Sequence, residues 1–378
     1  MKFRDLEKQY QAMKSDMDAS IRAVIEKANF IHGEQVTELE TRLAEYVGVK
    51  HCVSCANGTD ALQLALMAWG IGKGDAVFVP DFTFFASGEV VCAVGAVPIF
   101  VDVRRDTFNL DCDALERMIE KVEKEGKLRS AAVLAVDLFG QPAQYDRIRE
   151  VAGKHNMLVL EDGAQGFGGK IGEKKVCSLG DISTTSFFPA KPLGCYGDGG
   201  AVFTDNDEWA DLIRSYCVHG KGKSKYDNVR IGMNSRLDTL QAAVLLRKFS
   251  QFVGWELGQV QTVAEWYDEQ LKGVVEIPCI LKGYYSSWAQ YTVKFPTRES
   301  RDGAMHLLGE NEIPSAVYYE KPMHRQKAFQ EFQYNETDYL VSTELSQTVL
   351  SLPFHPYLSR EEVTLVGKMI AEYAKEWL

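Results

Sequence analysis

The sequence has little of what marks a membrane-spanning, secreted or nucleic-acid-binding protein. Its 378 residues carry a formal net charge of −11, which disfavours nucleic acid and anionic membranes as partners because both select a basic face. Its longest nearly apolar run, 90–101, is broken by Gly95 and Pro98 and is too short to span a bilayer. The polar segment MKFRDLEKQYQ does not have the pattern of a signal peptide. We therefore expect a cytoplasmic protein.

Cysteine is also too sparse for a disulfide scaffold, with eight residues scattered along the chain, and we expect free thiols. Cys52 and Cys55 form a C-x-x-C, but neither a second pair nor a thioredoxin-like context accompanies them, which disfavours a zinc or redox site. No G-x-G-x-x-G follows the first strand of a βαβ unit, which counts against a Rossmann dehydrogenase. The sequence thus predicts no metal site.

Between residue 60 and about residue 206, apolar strands alternate with amphipathic helices. The predicted strands are 76–80, 97–103, 131–139, 157–162, 182–188 and 200–204. The predicted helices are 60–69, 113–125 and 145–155, preceded by two more at 5–29 and 34–47. This alternation is typical of an α/β fold with a mostly parallel sheet covered on both faces. Ligands are expected at the carboxyl ends of its strands.

After about residue 235 the pattern changes to that of a smaller α+β domain. A long helical stretch from Leu237 to about Leu271 is followed by a strand at 289–295, a helix near 301–311 and a last helix at 359–377. We therefore predict two domains, 1–240 and 241–378.

An acidic residue and a lysine follow two successive predicted strands. The segment MLVLED ends in Asp162, and Lys191 lies between two prolines in SFFPAKPLGCYGDGGA (186–201). A carboxylate at the end of a buried strand is costly without a cationic or hydrogen-bonding partner. In pyridoxal 5'-phosphate (PLP) enzymes a lysine forms the Schiff base and an aspartate pairs with the pyridinium nitrogen. On these two residues alone, a plain structural ion pair is the favoured interpretation.

Two further segments at strand ends fit the same kind of site. In SCANGTDALQLALMAW (54–69), Gly58 and Thr59 open an amphipathic helix whose first N–H groups could bind phosphate or form an ordinary N-cap. In PDFTFFASGEV (80–90), Phe84 or Phe85 could stack on a planar cofactor or pack in the core. Four such signals in this order indicate one PLP site.

The series of motifs resembles that of the DegT/DnrJ/StrS-type nucleotide-sugar aminotransferases over essentially the whole chain. The matching segments are FIHGEQVTELE, NGTDALQLAL, PDFTF, VDV, LEDGAQ, SFFPAKPLGCYGDGGA, NSRLDTLQAA and SLPFHPYL. The resemblance implies a fold type I PLP-dependent transferase, with a mostly parallel seven-stranded sheet and a smaller C-terminal α+β domain. Within the family, SFFPAKPLGCYGDGGA and NSRLDTLQAA look most like enzymes that aminate C3 of UDP-2-acetamido-2-deoxy-3-oxo-glucuronate for cell-surface polysaccharide.

The resemblance also implies a role for individual residues. Lys191 matches the Schiff-base lysine, Asp162 the partner of the pyridinium nitrogen, and Gln165 a residue near the ring hydroxyl. Phe84 matches the aromatic residue that stacks on the ring. The matched phosphate ligands are Gly58, Thr59, Ser186 and Asn234.

Asn234 and Arg236 match residues that a neighbouring subunit delivers, Asn234 to the phosphate and Arg236 to the substrate. The resemblance therefore implies a homodimer with shared active sites. The segment 219–236 carries five cations against one aspartate, which would suit a diphosphate, a uronate or glutamate, although a solvated loop would have the same composition. These cations are Lys221, Lys223, Lys225, Arg230 and Arg236.

The segment AVYYEKPMHRQ (316–326) supplies three expected sugar contacts, Tyr318, Tyr319 and His324. A satisfied surface histidine is an equally valid interpretation of His324. The uronate enzymes that the chain resembles have a histidine at the first of these positions. Tyr318 therefore leaves the identity of the sugar open.

The expected reaction is a two-step transamination from L-glutamate to a keto-sugar nucleotide. Three alternatives share the fold: another keto-sugar, such as a 4-keto or dTDP-3-keto-6-deoxy sugar, an amino-acid substrate, or a dehydratase. Dehydratases of the family replace the lysine by histidine, so Lys191 disfavours that reaction. A non-catalytic PLP-binding regulator is disfavoured because no basic helical DNA-binding segment is present.

Overall fold

The computed structural model describes residues 1–224, 226–332 and 334–375. The α-helices in this part of the chain are α1 Leu6–Ala12, α2 Lys14–Lys27, α3 Glu34–Val47, α4 Gly58–Ala68, α5 Ala86–Ala93, α6 Cys112–Glu125, α7 Tyr145–Lys154, α8 Asp207–Tyr216, α9 Thr239–Gln251, α10 Leu257–Leu271, α11 Arg298–Glu310, α12 Leu340–Thr348 and α13 Arg360–Ala374. The strands are β1 His51–Cys55, β2 Asp75–Pro80, β3 Val97–Val101, β4 Arg129–Val136, β5 Leu158–Asp162, β6 Lys170–Ile171, β7 Lys174–Lys175, β8 Ile182–Ser186, β9 Gly200–Thr204, β10 Tyr284–Tyr285, β11 Tyr291–Lys294 and β12 Val349–Leu352.

Seven strands form the central sheet in the order β1-β9-β8-β5-β4-β2-β3. The pairs β2–β3, β2–β4, β4–β5 and β5–β8 are parallel, whereas β9 runs antiparallel to both of its neighbours. The prediction of an α/β fold with a mostly parallel seven-stranded sheet is confirmed. Because β5 and β8 are parallel neighbours, their carboxyl ends lie side by side.

Side chains alternate between the two faces of the sheet and build two separate apolar cores. Along β2, Phe78 belongs to the first core and Val77 and Val79 to the second. The first core includes residues of α3, α6, α7 and α9, and the second includes residues of α4, α5 and α8. The sheet is thus covered on both faces, which explains why its strands read as continuous apolar runs.

A third apolar core lies in the C-terminal part of the chain. It is formed by α10, α11, α13 and the antiparallel pair β11–β12, with the rings of Tyr267 and Tyr291 stacked 4.8 Å apart. Its separation from the other two cores fits a smaller α+β domain. The exact domain boundary at residue 240 stays a prediction.

Several predicted elements differ in detail from the structure. The predicted helix 5–29 is interrupted at Met13, and the predicted helical stretch 237–271 contains a π-helical turn, Phe252–Glu256, between α9 and α10. Strand β1 was not predicted, because HCVSC is short and mixes polar with apolar residues. None of the described helices has the length and apolarity needed to cross a bilayer.

Candidate active site

The parallel pairing of β5 with β8 brings Asp162 and Lys191 into one site. Asp162 is the last residue of β5, and Lys191 lies in the loop that follows β8. The amide of Lys191 donates to the carbonyl of Phe188 at 2.8 Å, which closes a turn over residues 188–191 that contains Pro189. The charges of the two side chains interact with each other. The structure therefore places these two residues together, as the motif order predicted.

Asp162 is buried, with 6% of its surface exposed, and its carboxylate has two moderate hydrogen bonds. Ser87 Oγ donates to Oδ2 at 3.2 Å, and the amide of Ala164 donates to Oδ1 at 3.1 Å. Burial raises the pKa of Asp162, while Lys191 and these donors act against that rise. A carboxylate so lightly bonded in a buried position can still accept a further proton donor.

Lys191 is held in surroundings that favour its neutral form. Burial lowers the pKa of the amine, and the negative charge of Asp162 only partly opposes this effect. Its Nζ lies 6.0 Å from the centre of the Phe84 ring. A lysine with a lowered pKa has a larger neutral fraction near pH 7, which is the form that reacts as a nucleophile or a base.

Phe84, Gln165 and Tyr319 surround this pair. The Phe84 side chain is 53% exposed although it is aromatic, and its ring centre lies 6.4 Å from that of Tyr319. Gln165 Nε2 donates to the Tyr319 hydroxyl at 3.0 Å, and Gln165 Oε1 accepts from the amide of Phe139 at 2.9 Å. Burial raises the pKa of Tyr319, so its hydroxyl stays protonated. The exposed Phe84 ring is available to a ligand.

The start of α4 forms a close-packed cradle beside β8. Asn57 caps the helix by accepting from the amide of Asp60 at 2.8 Å, and no described residue accepts from the amides of Gly58 and Thr59. A Cβ on Gly58 would lie 2.6 Å from the Cβ of Ser186, so only glycine fits there. The three predicted phosphate ligands Gly58, Thr59 and Ser186 are therefore adjacent.

The segment with Asn234 and Arg236 packs near the same cradle within the chain. Ser235 Oγ accepts from the amide of Ala56 at 3.1 Å, and Arg236 Nη2 donates to Asn234 Oδ1 at 2.5 Å. No contact joins Asn234 or Arg236 to Lys191 or Asp162 among the described residues. Their delivery to a neighbouring subunit stays a prediction, and Lys225 of the same basic segment lies outside the described residues.

Tyr318 and Tyr319 are part of the site's surroundings, but His324 has other partners. Its Nδ1 lies 2.7 Å from Asp81 Oδ2, its amide donates to Asp81 Oδ1 at 2.8 Å, and its ring stacks on Tyr339 at 4.5 Å. His324 is 5% exposed and no described contact links it to Lys191, Asp162 or Tyr319. The structure therefore does not group His324 with the other predicted sugar contacts.

The C-x-x-C cysteines do not form a pair. Cys52 belongs to the first core and Cys55 to the second, because residues three apart on a strand face opposite sides. Across the described ranges, no group of three or more His, Cys, Asp or Glu side chains could hold a metal ion.

The residues brought together fit PLP. The lightly bonded carboxylate of Asp162 suits a protonated ring nitrogen, and the exposed Phe84 ring suits an aromatic ring between it and the lysine. The open amides at the start of α4 suit a phosphate. All these groups lie at the carboxyl ends of strands, where ligands of parallel sheets bind.

Sequence reasoning missed Ser87, which orients the Asp162 carboxylate from α5. Ser87 lies three residues after Phe84, so a helix starting near Phe84 would have placed both side chains on one edge of that helix.

Sequence reasoning also missed that Glu161 and Asp162 have different roles. Glu161 accepts from the amides of Cys177, Leu179 and Gly180 and from Ser183 Oγ, on the other face of the sheet.

Comparison with known proteins agrees with this geometry. A model of the DegT/DnrJ/EryC1/StrS aminotransferase family matches residues 11–371. The chain is 43% identical over 367 residues to the UDP-2-acetamido-2-deoxy-3-oxo-D-glucuronate aminotransferase of Pseudomonas aeruginosa, covering 97% of this chain and 98% of that protein. It is 38% identical over 367 residues to the UDP-N-acetyl-3-dehydro-alpha-D-glucosamine 3-aminotransferase of Acidithiobacillus ferrooxidans, covering 97% and 96%. It is also similar to a crystal structure of a DegT DnrJ EryC1 StrS aminotransferase from Brucella abortus, with a TM-score of 0.96, 46% identity and 99% of both chains covered.

Proposed function

Because the chain belongs to the DegT/DnrJ/EryC1/StrS aminotransferase family, we propose that it transfers an amino group from L-glutamate to C3 of UDP-2-acetamido-2-deoxy-3-oxo-glucuronate. The enzyme is a PLP-dependent sugar aminotransferase, as is typical of this family. The observation that carries the proposal is the pair of Asp162 and Lys191, with the exposed ring of Phe84 centred 6.0 Å from Lys191 Nζ. Both relatives described above act on C3 of UDP-linked 2-acetamido sugars by name, which supports the position of amination.

The choice of a uronate rests on charge. The segment 219–236 is basic in an otherwise acidic protein. Arg236 could form a bidentate pair, with two parallel hydrogen bonds, to a sugar carboxylate or a diphosphate. Tyr318 cannot supply a positive charge at neutral pH, and burial raises its pKa further. Uronate recognition would therefore depend on arginine rather than on the residue at position 318.

In the proposed mechanism Lys191 binds the cofactor and later moves a proton. Its burial favours the neutral amine, so that once displaced by glutamate, Nζ can accept the proton that leaves the α-carbon of glutamate. The hydrogen bond from the Lys191 amide to the carbonyl of Phe188 fixes the backbone that carries this amine. In the first half-reaction Nζ would deliver this proton to the aldehyde carbon of the cofactor, and in the second half it would carry a proton from that carbon to C3 of the sugar.

Bound PLP would supply an electron-accepting pyridinium ring. Asp162 would hold the proton on the ring nitrogen, with Ser87 and the Ala164 amide orienting its carboxylate. Gln165, positioned by the Phe139 amide and Tyr319, would contact the ring hydroxyl. The amides of Gly58 and Thr59 and the hydroxyl of Ser186 would bind the phosphate.

The first experiment is the visible absorbance of the purified enzyme with PLP, before and after addition of L-glutamate. We expect a cofactor band that disappears on addition of glutamate and returns on addition of the keto-sugar. A band that is indifferent to glutamate would contradict glutamate as the donor. The absence of a band after incubation with PLP would contradict the cofactor.

The sugar is identified by comparing three keto-sugar nucleotides on glutamate-treated enzyme. These are the UDP-linked 3-oxo-glucuronate, the UDP-linked 3-oxo-N-acetylglucosamine and a dTDP-linked 3-keto-6-deoxy sugar. We expect the uronate to restore the band with a kcat/KM at least roughly tenfold above the others, the discrimination that one buried ion pair provides. Equal rates with the uncharged N-acetylglucosamine substrate would contradict uronate specificity.

We also propose a homodimer with shared active sites. Phe30, Ile31, Phe188 and Ile231 are large apolar side chains between 43% and 90% exposed, and an apolar surface of this kind is typical of a protein–protein interface. Asn234 and Arg236 lie in the same stretch of chain as Ile231.

We further propose a cytoplasmic location, since all eight cysteines are free, as is typical of proteins in reducing compartments.

A mixing experiment tests the shared site. Lys191→Ala and Arg236→Ala would each be inactive alone, but a heterodimer of the two has one site with both residues intact. With equal amounts and free exchange, half of the dimers are mixed and each has one of two sites working, so about a quarter of wild-type activity should return. No recovery after confirmed subunit exchange would contradict the shared site.

A further inference from the structure

The N-terminal segment reaches the loop that carries Lys191. Arg4 Nη2 donates to the carbonyl of Lys191 at 2.8 Å and lies 3.5 Å from the carbonyl of Pro192. These contacts join residues 187 and 188 positions apart in the chain. Among the described residues, Arg4 is the side chain that donates hydrogen bonds to the backbone carbonyls of Lys191 and Pro192. The loop is therefore fastened by a residue that no motif identified.

The same segment also contacts the C-terminal part of the chain. The carbonyl of Phe3 accepts from the amide of Phe354 at 3.1 Å, and the Phe3 ring lies 6.1 Å from that of Tyr318 in an edge-to-face arrangement. Residues 3 and 4 thus touch the lysine loop, the third core and the expected sugar contact. The backbone next to Arg4 is therefore held in place through Phe3.

Arg4 lies among buried polar groups from several elements. Glu256 is 3% exposed and accepts from Gln9 Nε2 at 2.9 Å and from the Tyr357 hydroxyl at 2.8 Å. Its negative charge faces the Arg4 guanidinium. Two further cationic or titratable groups interact with Arg4, namely Lys248 on α9 and His355. The negative charge of Glu256 therefore offsets part of the cost of burying the guanidinium.

We propose that Arg4 is a positioning residue for Lys191, whose guanidinium fixes the backbone of the cofactor-lysine loop from the N-terminal segment. A hydrogen bond from a charged donor is stronger than one between neutral groups, so the turn around Lys191 is held in one orientation. This inference rests on the proposed function, because it concerns the lysine that would bind PLP.

The positive charge of Arg4 has a second effect on the same lysine. The charged groups that interact with the Lys191 amine are Asp162 at the end of β5, which favours its protonation, and Arg4, which opposes it. Loss of the Arg4 charge should therefore raise the pH at which the Lys191 nitrogen loses its proton, both in the free amine and in the nitrogen joined to the cofactor. A purely structural role for Arg4 would leave that pH unchanged.

The test compares Arg4→Met and Arg4→Lys with wild type and with a matched control, Lys2→Met. Lys2 carries the same charge two residues away but pairs at the surface with Asp5 and Glu7. Two quantities are measured: the rate at which cofactor-free enzyme takes up added PLP, and the pH midpoint of the visible band of loaded enzyme.

For Arg4→Met we expect PLP uptake at pH 7 to slow roughly threefold to tenfold, as for loss of one charge-assisted hydrogen bond, and the pH midpoint to rise. Arg4→Lys should keep the midpoint close to that of wild type but still slow uptake, because an ammonium lacks the planar fork of a guanidinium. Lys2→Met should match wild type in both measurements.

An unchanged PLP uptake rate and an unchanged pH midpoint in Arg4→Met would overturn the proposal, even if the melting temperature of the variant falls. If Arg4→Met does not fold, Arg4→Lys decides, and wild-type uptake in that variant overturns the proposal. Failure of the wild-type enzyme to take up PLP would instead overturn the cofactor assignment on which the inference rests.

Discussion

Glu161 and Asp162 are consecutive carboxylates at the end of β5, and they face opposite sides of the sheet. Glu161 is fully buried and accepts four hydrogen bonds between 2.6 and 3.1 Å, three from backbone amides and one from Ser183. Asp162 accepts two, at 3.1 and 3.2 Å, and faces Lys191. One carboxylate is saturated by the fold, and the other keeps capacity for a ligand.

The difference shows how a protein separates a structural acid from a functional one. Burial raises the pKa of both groups, so burial alone does not distinguish them. The donors do, because a saturated carboxylate contributes to stability and cannot take another partner without losing one. Neighbouring Asp137 illustrates the cost of sharing that pocket: burial and the charge of Glu161 raise its pKa well above the ordinary value.

The largest effect is expected from removing the amine that faces Asp162. Lys191→Ala should bind PLP but lose turnover by roughly a thousandfold or more, because the variant lacks the amine that would attach the cofactor and move the proton. Steady-state turnover with glutamate and the keto-sugar measures this, with the exposed Lys73→Ala as control. Turnover within tenfold of wild type would contradict the assignment of Lys191.

Asp162→Asn should lower turnover roughly 300-fold, because a neutral amide cannot stabilise a protonated ring nitrogen. Its stability should stay close to that of wild type, since asparagine can still accept from the Ala164 amide and donate to Ser87. Turnover and urea unfolding are measured on the same preparation. A large loss of stability with little loss of turnover would make Asp162 a structural acid like Glu161.

Glu161→Gln should show the opposite behaviour. A glutamine would direct its NH₂ group at backbone amides that now donate to Glu161, which should cost about 3 kcal/mol of unfolding free energy. Turnover per folded molecule should change little, because Glu161 faces away from Lys191. Loss of turnover without loss of stability would show that the two carboxylates are not separated as described.

The smallest effect concerns His355, a buried base whose Nδ1 accepts a hydrogen bond from the amide of Tyr357 at 3.3 Å, an arrangement that requires that nitrogen to be unprotonated. Burial, reinforced by Arg4, lowers the pKa of His355 to about 4, against about 6.5 in an unfolded chain. Between these values the unfolded state binds the proton and the folded state does not, so stability should fall as pH falls. The expected loss is about 2 kcal/mol from pH 7 to pH 5.

Urea unfolding of wild type and His355→Gln at pH 7 and pH 5 measures this dependence. The variant should lose less stability between the two pH values than wild type, whatever its stability at pH 7. Equal losses in both proteins would show that His355 is not the group responsible.

Much of the fold could be predicted, because most strands of the central sheet are buried on both faces and largely apolar, although β8, with the sequence ISTTS, is mostly polar. Six of the seven strands of the central sheet were recognised in this way, whereas β1, with the sequence HCVSC, lacks a clear apolar pattern. The partner strand β12 was missed as well, because VLSL continues directly from α12. A short edge strand, or a strand that follows a helix directly, contains too few residues for a hydrophobic periodicity to be detected.

The sequence by itself determined the α/β fold, the family and the pair of Asp162 and Lys191. Strand ends and glycine-rich loops are local patterns, so they can be recognised from short stretches of sequence alone. Only the tertiary structure decided which acid of Glu161-Asp162 is saturated, that His324 pairs with Asp81, and that Arg4 fastens the loop of Lys191. Each of these depends on partners that are distant along the chain. Hydrogen-bond saturation is a property of three-dimensional neighbours, and no spacing in the sequence encodes it.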